Sequence, residues 1–251
     1  MPHWELMVFF FIIAFVYASV GFGGGSSYLA VLALYALPFN EIRLIALLCN
    51  IIVVTGGTVI YVRNRQVNWR KIIPLVVTSV PMAFLGASLK IKQDTFFIIL
   101  GVSLVVAAVL LWIKPKAFAL HESAVIGNGR SLKDGAMGGA IGFFSGMVGI
   151  GGGIFLSPLL NLSKWDTPKK ISATASVFIL VNSISGIAGQ LTQLPANINY
   201  TMIACLCVAV LAGGQTGSRL SAIKFNQLVI LRVTAALVFF AGIEVLFKHL
   251  F

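Results

Sequence analysis

The chain has 251 residues and a net charge of +11, with 59% of its residues hydrophobic and only 10% charged. Soluble domains carry about 25% charged residues, so this composition excludes an ordinary soluble protein and indicates a chain that has lipid as its solvent. The basic residues fall in short gaps between apolar runs, which is typical of cytoplasmic loops beside anionic headgroups and argues against nucleic-acid binding.

The first half of the chain begins with an apolar segment, 5–37, that is cut by the run Gly21-Phe22-Gly23-Gly24-Gly25. The start of the chain lacks the basic region of a signal peptide, so residues 6–20 are expected to belong to the mature protein. Three uninterrupted apolar runs follow, 42–62, 70–89 and 95–113. Each has the length of about 20 residues that a spanning helix needs.

The second half shows the same order of elements. A polar stretch, 114–133, reads as a linker. An apolar segment, 135–163, follows it and is cut by the run Gly149-Ile150-Gly151-Gly152-Gly153, and then come three apolar runs, 172–192, 198–218 and 226–247. Each glycine break leaves two pieces that are too short to span the bilayer as separate helices.

Internal matches indicate that the chain is a duplication. They pair 20–25 with 148–153 at an offset of 128, Asn50 and Gly57 with Asn182 and Gly189 at an offset of 132, and Gly86-Ala87 with Gly217-Ser218 at an offset of 131. Three matches in the same order are not expected by chance. We therefore predict one repeat over 1–113 and a second over 134–251.

Loop charges distinguish two topologies, because cytoplasmic loops carry the Lys and Arg excess. If each broken segment crossed the membrane once, the loop charges would divide 9 against 8 between the two sides. If each returned to the side it entered, the division would be 13 against 4. The inner set is then Arg63, Arg65, Arg70, Lys71, Lys114, Lys116, Arg130, Lys133, Lys164, Lys169, Lys170, Arg219 and Lys224, and the outer set is Arg43, Lys90, Lys92 and Lys248.

The second topology obeys the positive-inside rule and the first does not. We therefore predict an all-α polytopic protein of the inner (cell) membrane that is built from two inverted repeats. Each repeat has three transmembrane helices and one glycine-broken, re-entrant hairpin, and both chain termini lie outside the cytoplasm. The uncharged loop 193–199 also falls outside.

The glycine breaks are the predicted binding site, because irregular backbone at membrane depth is tolerated only where it is buried in protein or lines a wet cavity. A helix that starts after Gly25 would present the N–H groups of Ser26, Ser27 and Tyr28, and one that starts after Gly153 those of Ile154, Phe155 and Leu156. Helix N-termini favour anions, and glycine allows close approach. Close helix packing is the alternative use of these glycines. The predicted site residues are Gly23, Gly24, Gly25, Ser26, Ser27, Gly151, Gly152, Gly153 and Ile154.

Polar residues within the apolar runs add candidates. Asn50 and Asn182 are repeat-equivalent amides that either contact the ligand or bond to the broken backbone, and Gln190 is a weaker candidate of this kind. Arg232 and Glu244 are expected to reach the headgroups. No cysteine or histidine spacing fits a metal, and no Ser/His/Asp constellation lies within the apolar segments. We therefore predict no metal, no cofactor, no catalytic residue and no enzymatic activity.

The two glycine-rich segments, the second followed by Ser157-Pro158, resemble those of the sulfite exporter TauE/SafE family, as do the chain length, the two-repeat layout and the basic loop 63–71. The resemblance covers essentially the whole chain. It implies transport of sulfur-containing anions, such as sulfite, sulfoacetate and other organosulfonates, and it marks Gly23–Gly25 and Gly151–Gly153 as the family signature. Ala30 stands where the second repeat has Pro158, so a strictly symmetric site is not expected.

We therefore predict a membrane transporter whose partners are the bilayer, a small sulfur-containing anion and a coupling H⁺ or Na⁺. The chain offers no carboxylate at the membrane midplane. Three mechanisms stay open: the proton travels on the substrate, a cation binds unwound carbonyls, or transport is uncoupled. The direction of transport and a homo-oligomeric state also stay open. The alternatives are a small-anion channel without alternating access and, with less support, a membrane assembly protein.

Overall fold

The computed structural model describes residues 4–19, 21–35, 37–112, 128–191, 199–220 and 227–250, and the regular structure within these ranges is helical. The first half contains α1 (Trp4–Ser19), α2 (Gly25–Leu34), α3 (Phe39–Arg63), α4 (Trp69–Ser88) and α5 (Gln93–Trp112). The second half contains α6 (Asn128–Val148), α7 (Gly153–Leu162), α8 (Pro168–Gln190), α9 (Tyr200–Leu220) and α10 (Gln227–Leu250). Most of the predicted linker 114–133 and of the loop 193–199 lies outside the described residues, whereas the end of that linker already belongs to α6.

Five of the six predicted spans are confirmed as helices long and apolar enough to cross a membrane. They are Phe39–Arg63, Trp69–Ser88, Gln93–Trp112, Lys169–Gln190 and Tyr200–Arg219. The sixth, 226–247, coincides with α10, whose apolar section Val238–Phe247 is shorter. Large apolar side chains such as Val77 and Phe240 are 64% and 71% exposed on the outer faces of the helices. Lipid tolerates this exposure and water penalises it, as expected of a multi-pass membrane protein.

The central helices α3 and α8 run antiparallel. Gly186 of α8 faces the side chain of Leu47 on α3. Further along α3, Gly57 faces Ser176, which lies further back along α8. The two helices that correspond by the internal sequence match therefore run in opposite directions through the bundle.

Close backbone contacts join each half to the other. Glycines one helical turn apart on α6 face the backbone of the parallel helix α4, and the pairs are Gly138 with Leu75, Gly142 with Ser79 and Gly146 with Ala83. In the same way, Gly213 and Gly217 of α9 face Phe11 and Phe15 of α1. A Cβ atom at any of these glycines would collide with a carbonyl oxygen of the facing helix. Such small residues let helix backbones meet in lipid, where van der Waals packing drives association.

Each glycine break turns the chain back towards its own start. Tyr35, just after α2, donates a hydrogen bond of 3.3 Å to Glu5 at the start of α1. Trp165, just after α7, donates one of 3.0 Å to Asp134 near the start of α6. The outer ends of α1 and α2 therefore meet, as do those of α6 and α7, and each pair forms a helical hairpin with the glycine break at its tip.

The two hairpins open towards opposite ends of the bundle. Lys71, near the start of α4, forms an ion pair of 2.7 Å with Asp166 beside the open end of the α6–α7 hairpin. The α1–α2 hairpin opens at the start of α3, because α2 ends at Leu34 and α3 begins at Phe39. Helix α3 has 25 residues and is about 37 Å long, and Lys71 lies beyond its other end. The two hairpins therefore enter the bundle from opposite ends, with their tips inside it.

Candidate functional site

The two glycine breaks share two left-handed backbone positions. Gly24 and Gly152 precede α2 and α7 with φ angles of 82° and 81°. Gly21 and Gly149 stand three residues earlier in each break, with φ angles of 84° and 86°. Other residue types are strained in this left-handed region, so the four positions require glycine. Gly151, with a φ angle of 83°, is a further left-handed position in the second break, whereas Gly23 is not left-handed, so the repeated sequence produces a similar but not identical backbone.

Each half-helix begins with backbone N–H groups that find no acceptor in the described part of the chain. In α2 the Tyr28 N–H is the first to find one, the Gly24 carbonyl at 3.0 Å. In α7 the N–H groups of Phe155 and Leu156 bond to the Gly152 carbonyl at 3.2 and 3.0 Å. The prediction of free N–H groups at Tyr28, Phe155 and Leu156 is therefore wrong, because each helix starts one residue earlier than expected. The N–H groups without an acceptor among the described residues are those of Gly25, Ser26, Ser27, Gly153 and Ile154.

Asn50 of α3 lies between the two hairpin tips. Its Nδ2 donates a hydrogen bond of 2.9 Å to the carbonyl oxygen of Ile150, and its Oδ1 lies against Gly23. The side chain is 0% exposed, and its Oδ1 has no partner in the described part of the chain. Gly25 faces the same Ile150 oxygen, which a Cβ atom at Gly25 would approach to 2.6 Å. The two tips therefore touch, with Asn50 as the side chain that joins them.

A cavity of about 10 Å³ lies where the tips meet, which is at the lower limit for one water molecule. Its walls are Tyr17, Phe22, Gly23, Gly24, Gly25, Ser26, Asn50, Ile150, Gly153, Ile154 and Ile179. The structure thus brings seven of the predicted site residues together. Gly151 and Gly152 adjoin the cavity in the chain, and Ser27 shares a hydrogen bond of 2.6 Å with Tyr17.

Asn182 and Gln190, the other two predicted site residues, are not among the cavity walls. Asn182 faces α4, since its Nδ2 donates to the Ser79 hydroxyl at 3.0 Å and to the Phe178 carbonyl at 2.8 Å. Gln190 is buried at the end of α8. The two repeat-equivalent asparagines therefore occupy different environments, and a ligand contact at Asn182 or Gln190 stays a prediction.

Arg43 is a buried cation that the loop-charge count placed outside the membrane. That count treated Arg43 as a loop charge, although the predicted span 42–62 contains it. In the structure Arg43 is 1% exposed. Its Nη2 donates to the carbonyl oxygens of Ala87 at 3.2 Å and Gly146 at 3.1 Å, near the ends of α4 and α6. Its Cβ and Cγ pack against Gly149, so a positive charge lies beside the second break.

Buried polar atoms without partners concentrate around the breaks and along α3 and α8. Within the described ranges they belong to Tyr28, Arg43, Asn50, Thr58, Ser145, Thr174, Asn182, Ser183 and Gln190. Seven of these nine residues lie on α3 or α8. Buried polar groups are rarely left unpaired in proteins, so such a concentration marks where water or a ligand would bind.

Known proteins resemble the chain over nearly its full length. Residues 6–245 match the family described as Sulfite exporter TauE/SafE. Probable membrane transporter protein y4hK of Sinorhizobium fredii (strain NBRC 101917 / NGR234) is 30% identical over 252 residues, which cover 96% of this chain and 97% of that protein. Probable membrane transporter protein YunE of Bacillus subtilis (strain 168) is 22% identical over 220 residues, which cover 80% and 79%. No solved structure gives a significant match. The chain therefore belongs to the sulfite exporter TauE/SafE family of membrane transporters.

Proposed function

We propose that the protein transports a small sulfur-containing anion, such as sulfite or an organosulfonate like sulfoacetate, and holds it where the two hairpin tips meet. One observation carries the proposal: two half-helices begin at the same cavity with N–H groups that have no acceptor in the described chain. Helix N-termini favour anions through these N–H groups and the helix dipole. The family name supports sulfite chemistry.

Arg43 supports an anionic ligand independently of the helix ends. No carboxylate pairs with its guanidinium within the described residues, and its Nε has no acceptor there. A buried charge without a counter-charge is costly. An anion at the second break would offset part of that cost, which gives the site a net attraction for anions.

We propose the inverted-repeat architecture as part of this function, with repeats over 1–113 and 134–251 joined by the cytoplasmic linker 114–133. The antiparallel course of α3 and α8 and the opposite openings of the two hairpins support this arrangement. In such transporters the substrate binds at the repeat interface, near the bilayer midplane. Both chain termini then lie outside the cytoplasm.

The path for the anion follows the two central helices, α3 and α8. Within the described ranges, seven of the nine residues with buried, unpartnered polar atoms lie on these helices: Arg43, Asn50 and Thr58 on α3, and Thr174, Asn182, Ser183 and Gln190 on α8. The three residues of α3 are seven and eight positions apart, close to two helical turns, so they share one side of that helix. The four residues of α8 are spread around its axis, and Asn182 faces α4. Polar residues inside an apolar membrane bundle are typical of a substrate pathway.

Alternating access explains the size of the cavity. A space of about 10 Å³ is too small for an oxyanion, so the tips must separate before the anion binds. Rocking of one half against the other supplies such a movement in transporters built from inverted repeats. A channel, the second candidate, would also have to widen here, but it would open to both sides at once and not to each side in turn.

Transport by the purified protein in liposomes separates these functions. We expect saturable sulfite uptake that is faster when the liposomes already contain unlabelled sulfite, because a carrier returns faster when loaded. Uptake without this stimulation would indicate a channel. Thermal-shift measurements with sulfite, sulfate, sulfoacetate, taurine and carboxylates define the substrate class. If no sulfur oxyanion were bound or transported, the proposed function would be wrong.

A further inference from the structure

The orientation of the Asn50 amide is fixed by its surroundings. Its Nδ2 donates to the carbonyl oxygen of Ile150 at 2.9 Å. Turning the amide over would bring two acceptor oxygens together, so the Oδ1 must face the other way, against Gly23. This oxygen is fully buried and no donor reaches it from the described residues. An amide oxygen can only accept a hydrogen bond.

Residues from both tips line the same cavity and carry N–H groups without an acceptor in the described part of the chain. The N–H groups of Gly25 and Ser26 come from the first tip, and those of Gly153 and Ile154 come from the second. These donors suit the oxygens of an anion. The cavity therefore combines donors from both tips with the unpartnered acceptor of Asn50, and an anion that also carries a hydrogen satisfies both.

We propose that the transported species is a singly protonated oxyanion, hydrogensulfite in the case of sulfite, whose O–H donates to Asn50 Oδ1. This inference rests on the proposed function and narrows its substrate. The unprotonated dianion would place an oxygen lone pair against the amide oxygen and leave that acceptor without a donor. A buried polar group without its partner costs enough to weaken binding about tenfold or more. The proton then crosses the membrane on the anion.

The cavity walls carry no group that ordinarily titrates in the neutral range. Tyr17 is the titratable residue among them, and Tyr28 lies beside Gly24. Further away on the surrounding helices, Arg43 lies beside Gly149, Tyr61 beside Gly21, and Cys49 and Cys207 on the α3 and α9 sides. Phenol and guanidinium groups ordinarily titrate well above neutral pH, and an Asn50→Leu variant tests for a contribution from the thiols. No carboxylate or imidazole is among the cavity walls, and α8 carries neither group among its described residues.

Binding of two related anions over a range of pH tests the proposal on the wild-type protein. Sulfite and selenite have similar shapes, but selenite loses its second proton at a higher pH than sulfite. Calorimetry between about pH 6 and about pH 9 measures the affinity, expressed per total anion. For both sulfite and selenite, we expect this affinity to fall as the pH rises. The midpoint of the fall should be higher for selenite, because the titrating group belongs to the ligand. A common midpoint, or constant affinity, would overturn the proposal.

A second pair of anions separates the effect of the ligand's O–H group from the effect of its charge. Monoanionic methylphosphonate and methanesulfonate have the same shape and charge, but only the phosphonate carries an O–H. We expect methylphosphonate, at a pH where it is a monoanion, to compete with sulfite about tenfold better than methanesulfonate. Equal competition would exclude a donor requirement at Asn50.

The outcomes also separate this inference from the proposed function. If sulfite binds equally well at all pH values, the proposed function stands and only the protonated form is excluded. If neither sulfite nor any other sulfur oxyanion binds, the proposed function itself fails. An Asn50→Leu variant removes the acceptor, and the pH dependence of any residual sulfite binding should then disappear. Retained pH dependence in this variant would place the titrating contact elsewhere.

Discussion

Asn50 Nδ2 donates a hydrogen bond of 2.9 Å to the carbonyl oxygen of Ile150, so that a helix of the first half holds the glycine break of the second. Gly25, at the start of α2, faces the same oxygen. Three parts of the chain that are far apart in sequence therefore meet at one carbonyl group. Any movement that separates the two hairpin tips must break or rearrange this contact, which makes it a sensitive point for transport.

Replacing Gly25 with alanine is expected to reduce sulfite transport about tenfold or more. The new Cβ would lie 2.6 Å from the Ile150 oxygen and would also collide with Asn50 Nδ2, so the tips could not keep their contact. Initial rates of uptake into liposomes measure the effect. The matched control is Gly57→Ala on α3, where the nearest atom would be 3.8 Å away. If Gly25→Ala transported like Gly57→Ala, the close approach of the tips would not be needed.

Much of this site was predictable because its signals are local. Glycine is the residue type that tolerates a positive φ, so the two runs ending in Gly25 and Gly153 marked the breaks and the helix starts that follow. The duplication also identified Asn50. The difference between Asn50 and Asn182 was not predictable, because each amide chooses its partner in the folded bundle, where Asn182 meets Ser79 of α4.

Long-range packing accounts for the differences between the predicted and the observed positions of charged residues. Arg43 and Lys71 were counted as loop charges, yet both are buried, because partners from distant segments satisfy them. Those partners are the helix-end carbonyls for Arg43 and the Asp166 carboxylate for Lys71. A charge near the end of an apolar run can lie in a loop or in a capping position. The sequence of that run alone does not distinguish the two.

Replacing Arg43 with methionine is expected to destabilise the protein. The carbonyl oxygens of Ala87 and Gly146 would lose their charged donor, at a cost of about 1–3 kcal/mol for each buried group left unpaired. The contact of the guanidinium with the Phe96 ring, 5.9 Å from its centroid, would also be lost. The Arg43→Lys variant keeps the positive charge and should therefore lose less stability than Arg43→Met. Melting temperatures in detergent test this order, and equal values for all three proteins would show that Arg43 does not hold the helix ends.

The glycines of α6 should tolerate no side chain on the face that meets α4. A Gly142→Leu variant would drive its side chain into the backbone at Ser79, and the two helices would have to separate. We expect a lower melting temperature and a reduced yield of folded protein. Gly139→Ala provides the control, because the nearest atom to its new Cβ would be 3.7 Å away, on Met82. Similar stability of the two variants would mean that close contact of α4 and α6 contributes little.

The inverted-repeat topology predicts the location of the C-terminus. A reporter enzyme that is active only outside the cytoplasm should be active when fused after Phe251 and inactive when fused after Arg65, between α3 and α4. The structure supports the hairpins on which this prediction depends, because Tyr35 meets Glu5 and Trp165 meets Asp134. A cytoplasmic C-terminus would contradict the arrangement of two inverted halves.

The ion pair between Lys71 and Asp166 should make stability depend on pH at the acidic end. The Asp166 side chain is only 1% exposed. Burial raises the pKa of its carboxyl group, but hydrogen bonds from Lys71 and the Thr167 N–H, with the charges of Lys71 and Lys170, outweigh burial and lower the pKa below its usual value. A carboxylate with a lowered pKa stabilises the folded state above its unfolded pKa of about 4 and loses this contribution as the pH falls through the folded value.

Asp166→Asn should therefore lower the melting temperature at neutral pH, and its difference from the wild type should shrink below about pH 4. The carboxylate Asp94 provides a matched control, because it is exposed in the first turn of α5 and forms no ion pair within the described residues. Asp94→Asn should change the melting temperature little at any pH, since exposed charges contribute little to stability. A difference between Asp166→Asn and wild type that stayed constant from neutral to acidic pH would mean that packing around residue 166, and not its charge, joins α4 to the α7–α8 connection.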